Sequence, residues 1–205
     1  MRRIGALMGL AESDPEGKVR ATVFERALQE LGRTGGRNVR IDCRWATTDN
    51  ADRLRSEAAA LVAAAPDVIL ANSTPVLIVL QQATQTVPIV FVQVADPVGS
   101  GLVPTLTRPG GNITGFTTFE YAMVGKWLEV LKETAPSISR VLIIQNPANF
   151  AWPGWQRVVK AAALSVSVTL TLGEVRDQSE IERTITAHVQ EPNGGQMQAK
   201  RPSSI

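Results

Sequence analysis

Apolar and polar positions alternate along this chain with two periods, and the periods themselves take turns. Ile4–Leu10 (IGALMGL) is a compact apolar run, the mark of a buried strand. Val19–Leu31 then places Val19, Val23, Phe24, Ala27, Leu28 and Leu31 at spacings of three and four, which predicts an amphipathic helix with Pro15 near its start and Gly32 at its end. Asn38–Trp45 alternates Val39, Ile41, Cys43 and Trp45 against polar partners, a strand. An Ala-rich helix beginning at Asp49 or Asp52 runs to Ala64 and is stopped by Pro66. Asp67–Gln82 (DVILANSTPVLIVLQQ) reads as a short buried strand, a hydroxyl-bearing turn, and a helix with Pro75 in its first turn. Pro88–Val94 is a further continuous β-rich run. Strands apolar on both sides, alternating with helices, call for a parallel sheet covered by helices on both faces.

The rhythm breaks at Ala95–Gly115, rich in Gly and Pro, where a short helix is expected at Asp96-Pro97 and a short strand at Ile113–Phe116. It resumes in a second unit. Ala122–Glu133 is helical, with Met123, Trp127, Leu128 and Leu131 on one face. Val141–Ile144 is a strand, Asn146–Trp155 a loop, Gln156–Leu164 a helix, Val166–Leu172 a strand and Gln178–His188 a helix. After Val189 no apolar strand is visible. The expected division is a first α/β lobe over 1–117, a partial second α/β lobe over 118–195, and an irregular, disordered tail over 196–205.

Composition narrows the chemistry. The chain has 205 residues, 44% hydrophobic and 20% charged, ordinary values for a globular protein. A net charge of +2, with scattered basic residues, argues against a nucleic-acid partner. One cysteine (Cys43) and one histidine (His188) argue against a disulfide, a cysteine cage or a multi-histidine metal site. Gly5 to Gly9 lacks the Lys-Ser or Lys-Thr of a phosphate loop, and Gly32, Gly35 and Gly36 follow a helix where a dinucleotide fingerprint would follow a strand. No catalytic constellation is visible, no cofactor is expected, and the expectation is a protein that is not an enzyme.

Ser73 and Thr74 have two compatible readings at even odds. One is helix capping, worth about 1 kcal/mol. The other is a grip on a carboxylate by hydroxyls and backbone N–H groups at the positive end of a helix. Asp96-Pro97 favours capping over ligand contact, though Asp96 lies beyond a strand end, where such sheets bind ligands. Phe150, Trp152 and Trp155 would cover a sheet end or wall a pocket. Cys43 reads as an inert core residue and His188 as a partner of a helix C-terminus.

The stretches LQELGRTGGRNVRIDCRWA, APDVILANSTPVL, VPIVFVQVADPVGSGLV with RPGGNITGFTTFE, and KWLEVLKETAP, spanning about residues 3–190, resemble the substrate-binding proteins of bacterial ABC importers, among them the tryptophan/tyrosine-type and uncharacterised receptors. The DPVGSGLV…RPGGNITG block is the most specific. The resemblance implies a two-lobed type I periplasmic-binding-protein fold, each lobe a doubly wound parallel sheet with helices on both faces, here with an incomplete second lobe. It implies a small-molecule ligand, possibly an amino acid, in the cleft between lobes, and an ABC permease as partner. By that resemblance Gly9, Leu10, Ser73, Thr74, Asp96, Thr117 and Thr118 face the cleft from the first lobe and Asn146 from the second. Ser73 and Thr74 would hold a carboxylate and Asp96 an ammonium. The family's location is periplasmic, whereas the chain as written starts its first strand at Arg3 or Ile4 with no leader and is expected to stay in the cytoplasm. The alternatives are a non-functional remnant of such a receptor, an α/β enzyme, and the ligand-sensing domain of a transcription regulator, which would need a helix-turn-helix that Met1-Arg2-Arg3 does not provide.

Overall fold

The computed structural model describes residues 1–147, 152–190 and 193–198. The chain divides into two compact units, Met1–Phe119 and Glu120–Ile205.

The first unit is a five-stranded parallel sheet in the order β2-β1-β3-β4-β5. Its strands are β1 (Arg2–Met8), β2 (Val39–Trp45), β3 (Val68–Asn72), β4 (Ile89–Val94) and β5 (Ile113–Thr117). Its helices are α1 (Pro15–Glu30), α2 (Ala51–Ala63) and α3 (Thr74–Ala83). Leu7, Ile69, Ala71, Ile89, Phe91 and Val94 point to one face. There they pack with Leu54, Ala58 and Leu61 of α2 and Val76, Leu77 and Leu80 of α3. Burial of such side chains contributes about 1.5–3 kcal/mol each. At the opposite end Asp67 accepts from the Arg3 N–H at 2.7 Å and from Arg2 Nη1 at 3.0 Å, so the β3 entry is tied to β1. Those bonds, the Arg3 backbone first and the Arg2 guanidinium second, hold the Asp67 carboxyl below its ordinary range.

Helix α1 lies on the other face, its first turn against Trp45 and its Arg20 bonded to Asn72. Asp14 caps it, accepting from the Glu16 and Gly17 N–H groups, and Gly32 at φ 74 closes its C-terminal turn. The helix exists where the periodicity places it, but its apolar stripe is not core. Val19, Val23 and Leu31 are 61%, 60% and 77% exposed. The stripe is displaced from the face that α1 turns to the sheet, where Gly17 is buried and Phe24 and Leu28 are half-buried. The Asp96-Pro97 stretch is a hydrogen-bonded turn over 97–101, where a short helix was expected.

The second unit holds a parallel sheet in the order β7-β6-β8, made of β6 (Arg140–Gln145), β7 (Thr169–Glu174) and β8 (Gly194–Gln198). Helices α4 (Met123–Thr134), α5 (Trp152–Ser165) and α6 (Gln178–Val189) accompany it. Four sequence expectations are corrected here. Gly194–Gln198 is a strand paired with β6 from Arg140↔Gly194 to Ile144↔Gln198, so residues 196–198 are not irregular and a strand does follow Val189. A ladder is made by backbone groups and needs no apolar side chain. A Cβ at Gly194 would lie 3.0 Å from His188 Nε2 and one at Gly195 3.0 Å from Ile138 Cδ1, so two glycines admit the strand. Second, α5 begins at Trp152, which places Trp152 and Trp155 on a helix; Trp155 is buried, and Phe150 lies outside the described residues. Third, the buried face of α4 is Val124 and Leu128, with Met123 and Trp127 40% and 41% exposed. Fourth, His188 is buried and bonded to side chain and backbone: Arg140 Nη2 lies 3.3 Å from Nδ1, and Nε2 lies 3.1 Å from the Gly195 carbonyl.

Candidate functional site

The carboxyl ends of β1, β3, β4 and β5 gather most of the sequence-singled residues of the first unit. Met8 pairs with Trp45 on one side and Asn72 on the other, so the last residues of β2, β1 and β3 form one row. Directly beyond it the Gly9 N–H donates to the Asn72 carbonyl at 3.3 Å, and the Ser73 N–H donates to the Val92 carbonyl at 3.1 Å. A Cβ at Gly9 would come within 2.5 Å of Ser73 Oγ and 3.0 Å of the Asn72 carbonyl oxygen. Glycine is what allows the loop after β1 to lie on the Ser73 turn. Leu10 follows, half-buried.

Ser73 is the N-cap residue of α3 but does not cap with its side chain. Its backbone sits at φ 106, ψ 160, a region that costs a non-glycine residue about 1–3 kcal/mol. Its Oγ is buried without a hydrogen-bond partner among the described residues. A buried hydroxyl left unpaired costs a further 1–3 kcal/mol, as an order of magnitude. Strain and an unspent donor therefore coincide at one residue, on a helix start that favours negative charge.

The neighbouring hydroxyls are committed. Thr74 is buried, and its Oγ1 accepts from the Ala95 N–H at 3.3 Å. Thr117 Oγ1 donates to the Val94 carbonyl at 3.0 Å and to that of Phe119 at 3.1 Å; Thr118 Oγ1 donates to Val94 at 3.3 Å. Asp96 is buried and at φ 36; its Oδ1 accepts from the Gly99 N–H at 2.7 Å, which is the capping role. The β4–β5 register shifts between Phe91 and Val94, where Gln93 sits at φ 58. Such a bulge re-aims the end of a strand. Ser73, Gln93 and Asp96 thus put three left-handed non-glycine residues at one end of the sheet. Asn146 follows β6 in the other unit and is half-buried.

Sequence reasoning missed two parts of this region. Arg20, from α1, donates to Asn72 Oδ1 at 3.1 Å and pairs with Glu16, which holds the buried Asn72 amide in place under Ser73. Trp45 and the residues after it wall a depression of about 550 Å³ with Lys18 and Arg53. The available signal was position, since Trp45 ends a parallel strand. Cys43 is half-buried, and its thiol is pushed up to about 11, first by burial and then by the Glu25, Asp42 and Glu12 carboxylates. Among the described residues no three His, Cys, Asp or Glu side chains are placed to hold a metal, and no helix is long and apolar enough to cross a membrane.

Doubly wound parallel units with their loops collected at the strand ends are the architecture of solute-binding proteins. Residues 12–198 match the family described as ABC transporter substrate binding protein, and the chain belongs to that family. A tyrosine-binding protein of Clostridioides difficile (strain R20291) is 37% identical over 123 residues, 60% of this chain and 35% of the relative. A conserved domain protein from Vibrio cholerae O1 biovar El Tor superposes with a TM-score of 0.71 at 26% identity, over 91% of this chain and 61% of that one. A ligand-free, open substrate-binding protein with adhesive properties from Clostridium difficile gives 0.66 at 29% identity, over 92% and 62%. The chain therefore spans about a third of its curated relative and about three fifths of these two structures. The family is one of substrate-binding proteins, and the Clostridium difficile structure is another such protein.

Proposed function

We propose that this chain is the ligand-binding part of an extracytoplasmic receptor that feeds an ABC permease, and that it takes a small molecule, an amino acid, by its carboxylate. The observation that carries this reading is Ser73: a strained N-cap residue whose buried hydroxyl has no partner at the start of α3. With no bond to break, rotation about χ1 presents the hydroxyl to a ligand at small cost, and the α3 N-terminus supplies N–H groups and favourable dipole. Gly9 places no Cβ against the Ser73 hydroxyl. Asp96 offers its carboxylate to an ammonium from the end of β4. Leu10, Thr74, Thr117 and Thr118 shape the wall. The tyrosine-binding relative makes aromatic amino acids the first ligands to try.

Titration calorimetry of the chain with L-tyrosine, then a panel of other amino acids, tests this. Binding that falls at least tenfold in Ser73→Ala is the expected result, since the loss of a hydrogen bond to a charged group is worth about 1.5–3 kcal/mol. No heat and no thermal shift across the panel overturns it. A second reading, a remnant that no longer binds, has one observation in its favour, the exposed apolar side chains Val23 and Phe116 on the first unit. The same titration decides between the two.

A further inference from the structure

We infer that Asn193 is a self-modifying site: the backbone nitrogen of Gly194 attacks the Asn193 side-chain amide, and the isoaspartate that results releases β8 from the second unit's sheet. Asn193-Gly194 is the one asparagine–glycine pair in the sequence. Glycine after asparagine leaves the attacking nitrogen without a neighbouring side chain, so it reaches the amide carbon that bulkier residues obstruct. Asn193 is exposed and stands at φ 59, in the left-handed region where asparagine is enriched. Among the described residues no hydrogen bond holds its side-chain amide. Asn38, Asn50, Asn72 and Asn112 differ on both counts. They precede Val39, Ala51, Ser73 and Ile113, and each has its side chain hydrogen-bonded.

The ladder leaves the attacking nitrogen accessible. Gly194 stands opposite Arg140, and the Arg140 N–H donates to the Asn193 carbonyl at 3.3 Å. In a parallel ladder that pattern takes the next inward N–H from Gly195 and turns the Gly194 N–H to the other side. β8 is the last strand in the order β7-β6-β8, so that side is the sheet's open edge among the described residues. The reaction balances with water alone. The Gly194 nitrogen loses its proton and bonds to Asn193 Cγ, the Cγ–Nδ2 bond breaks, and ammonia leaves. Water then opens the cyclic imide. Opening at Cγ yields aspartate; opening at the main-chain carbonyl carbon yields isoaspartate. In isoaspartate the chain runs through Cγ and gains a methylene. The former main-chain carbonyl, which accepts from the Ser139 N–H at 3.1 Å and from the Arg140 N–H, becomes a side carboxylate. The Arg140↔Gly194 register loses its anchor, and the inserted carbon shifts every later residue of a strand that is held to β6 by backbone pairing.

Ageing the purified chain at mildly alkaline pH, with peptide mass spectrometry and enzymatic isoaspartyl methylation at intervals, tests this. Asn193 is expected to convert at least about tenfold faster than Asn38, Asn50, Asn72 or Asn112, and within about tenfold of the rate in the same peptide free in solution, with isoaspartate exceeding aspartate. Hydrogen exchange of the aged chain should show protection lost at residues 194–198 in proportion to conversion, and kept throughout the first unit. Asn193→Gly, which suits φ 59 and has no amide to close, should neither convert nor lose protection with age. A smaller margin over the four other asparagines, or a rate further below that of the free peptide, overturns the site. Conversion that leaves residues 194–198 as protected as in the fresh chain, or an equal loss with age in Asn193→Gly, overturns the release of β8.

Discussion

Ser73 pays twice in the unliganded fold, through its backbone at φ 106 and through its unpaired hydroxyl. Ser73→Gly removes both penalties, at an entropic cost of about 0.5–1 kcal/mol for the glycine. The net gain is about 1–5 kcal/mol, which for a chain of this size raises Tm by roughly 2–20 °C. Ligand affinity should fall in the same variant. A Ser73→Gly chain that is no more stable by thermal denaturation would show that the turn is not strained. Cys43 gives a second residue-scale expectation. A thiol raised from 9.0 to about 11 holds its proton in the folded chain after the unfolded chain has released it. Stability therefore falls as pH rises from about 9 to about 11, and Cys43→Ala should flatten that slope. At pH 8 the raised pKa keeps the folded thiol protonated, so alkylation of the folded chain should be slower than of the unfolded one.

β8 is held beside its ladder by one side chain, His188. His188 links α6 to β6 and β8, with Arg140 on one ring nitrogen and the Gly195 carbonyl on the other. Arg140 can only donate and the carbonyl can only accept, so Nδ1 accepts and Nε2 donates. His188→Phe keeps the volume and deletes both ring bonds, each to a half-buried group and worth about 0.5–1.5 kcal/mol. Hydrogen exchange should then show lost protection at residues 194–198 and along β6, with the first unit unaffected. Equal protection in variant and parent would mean that the ladder alone holds β8. This strand also marks the limit of what sequence discloses. Ile4–Leu10 and Pro88–Val94 announce themselves because their side chains are apolar on both faces of the strand, as in a parallel sheet. Gly194-Gly195-Gln196 carries no such signal, because its place is secured by backbone pairing and by the room glycine leaves beside His188 and Ile138. The same division holds at the site. Ser73 is visible as a hydroxyl before a proline-started helix. Its left-handed backbone, the Trp45 wall and the Arg20–Asn72 bond, between residues 52 positions apart, are set by the folded chain, which no local pattern records.

At the scale of the whole molecule, the first unit's sheet is unequally covered. α2 and α3 bury one face, while on the other α1 lies against β2 and the end of β3, through Trp45 and Asn72. Beyond it the strands present half-buried Val68, Leu70, Val90 and Val92 and, on β5, Phe116 at 73% exposure. Helical geometry puts Val23, Ala27 and Leu31 on the same flank of α1 as Arg20, the flank turned toward β3. A flank of α1 and a strip of three strands thus form one apolar bay, wide enough for a helix of about 10 Å diameter. Contiguous apolar surface of this kind drives association and binds amphiphilic dyes. The chain should therefore enhance anilinonaphthalene sulfonate fluorescence in its native state and self-associate with rising concentration in sedimentation velocity. Val23→Lys with Phe116→Lys, both at positions already exposed to water, should reduce dye binding several-fold and shift the chain toward monomer, with Tm unchanged to within about 2 °C. Dye binding that survives the double substitution would locate the sticky surface elsewhere, for example on Met123, Trp127 and Val130 along α4, and would mean that the bay on the first unit is closed in solution.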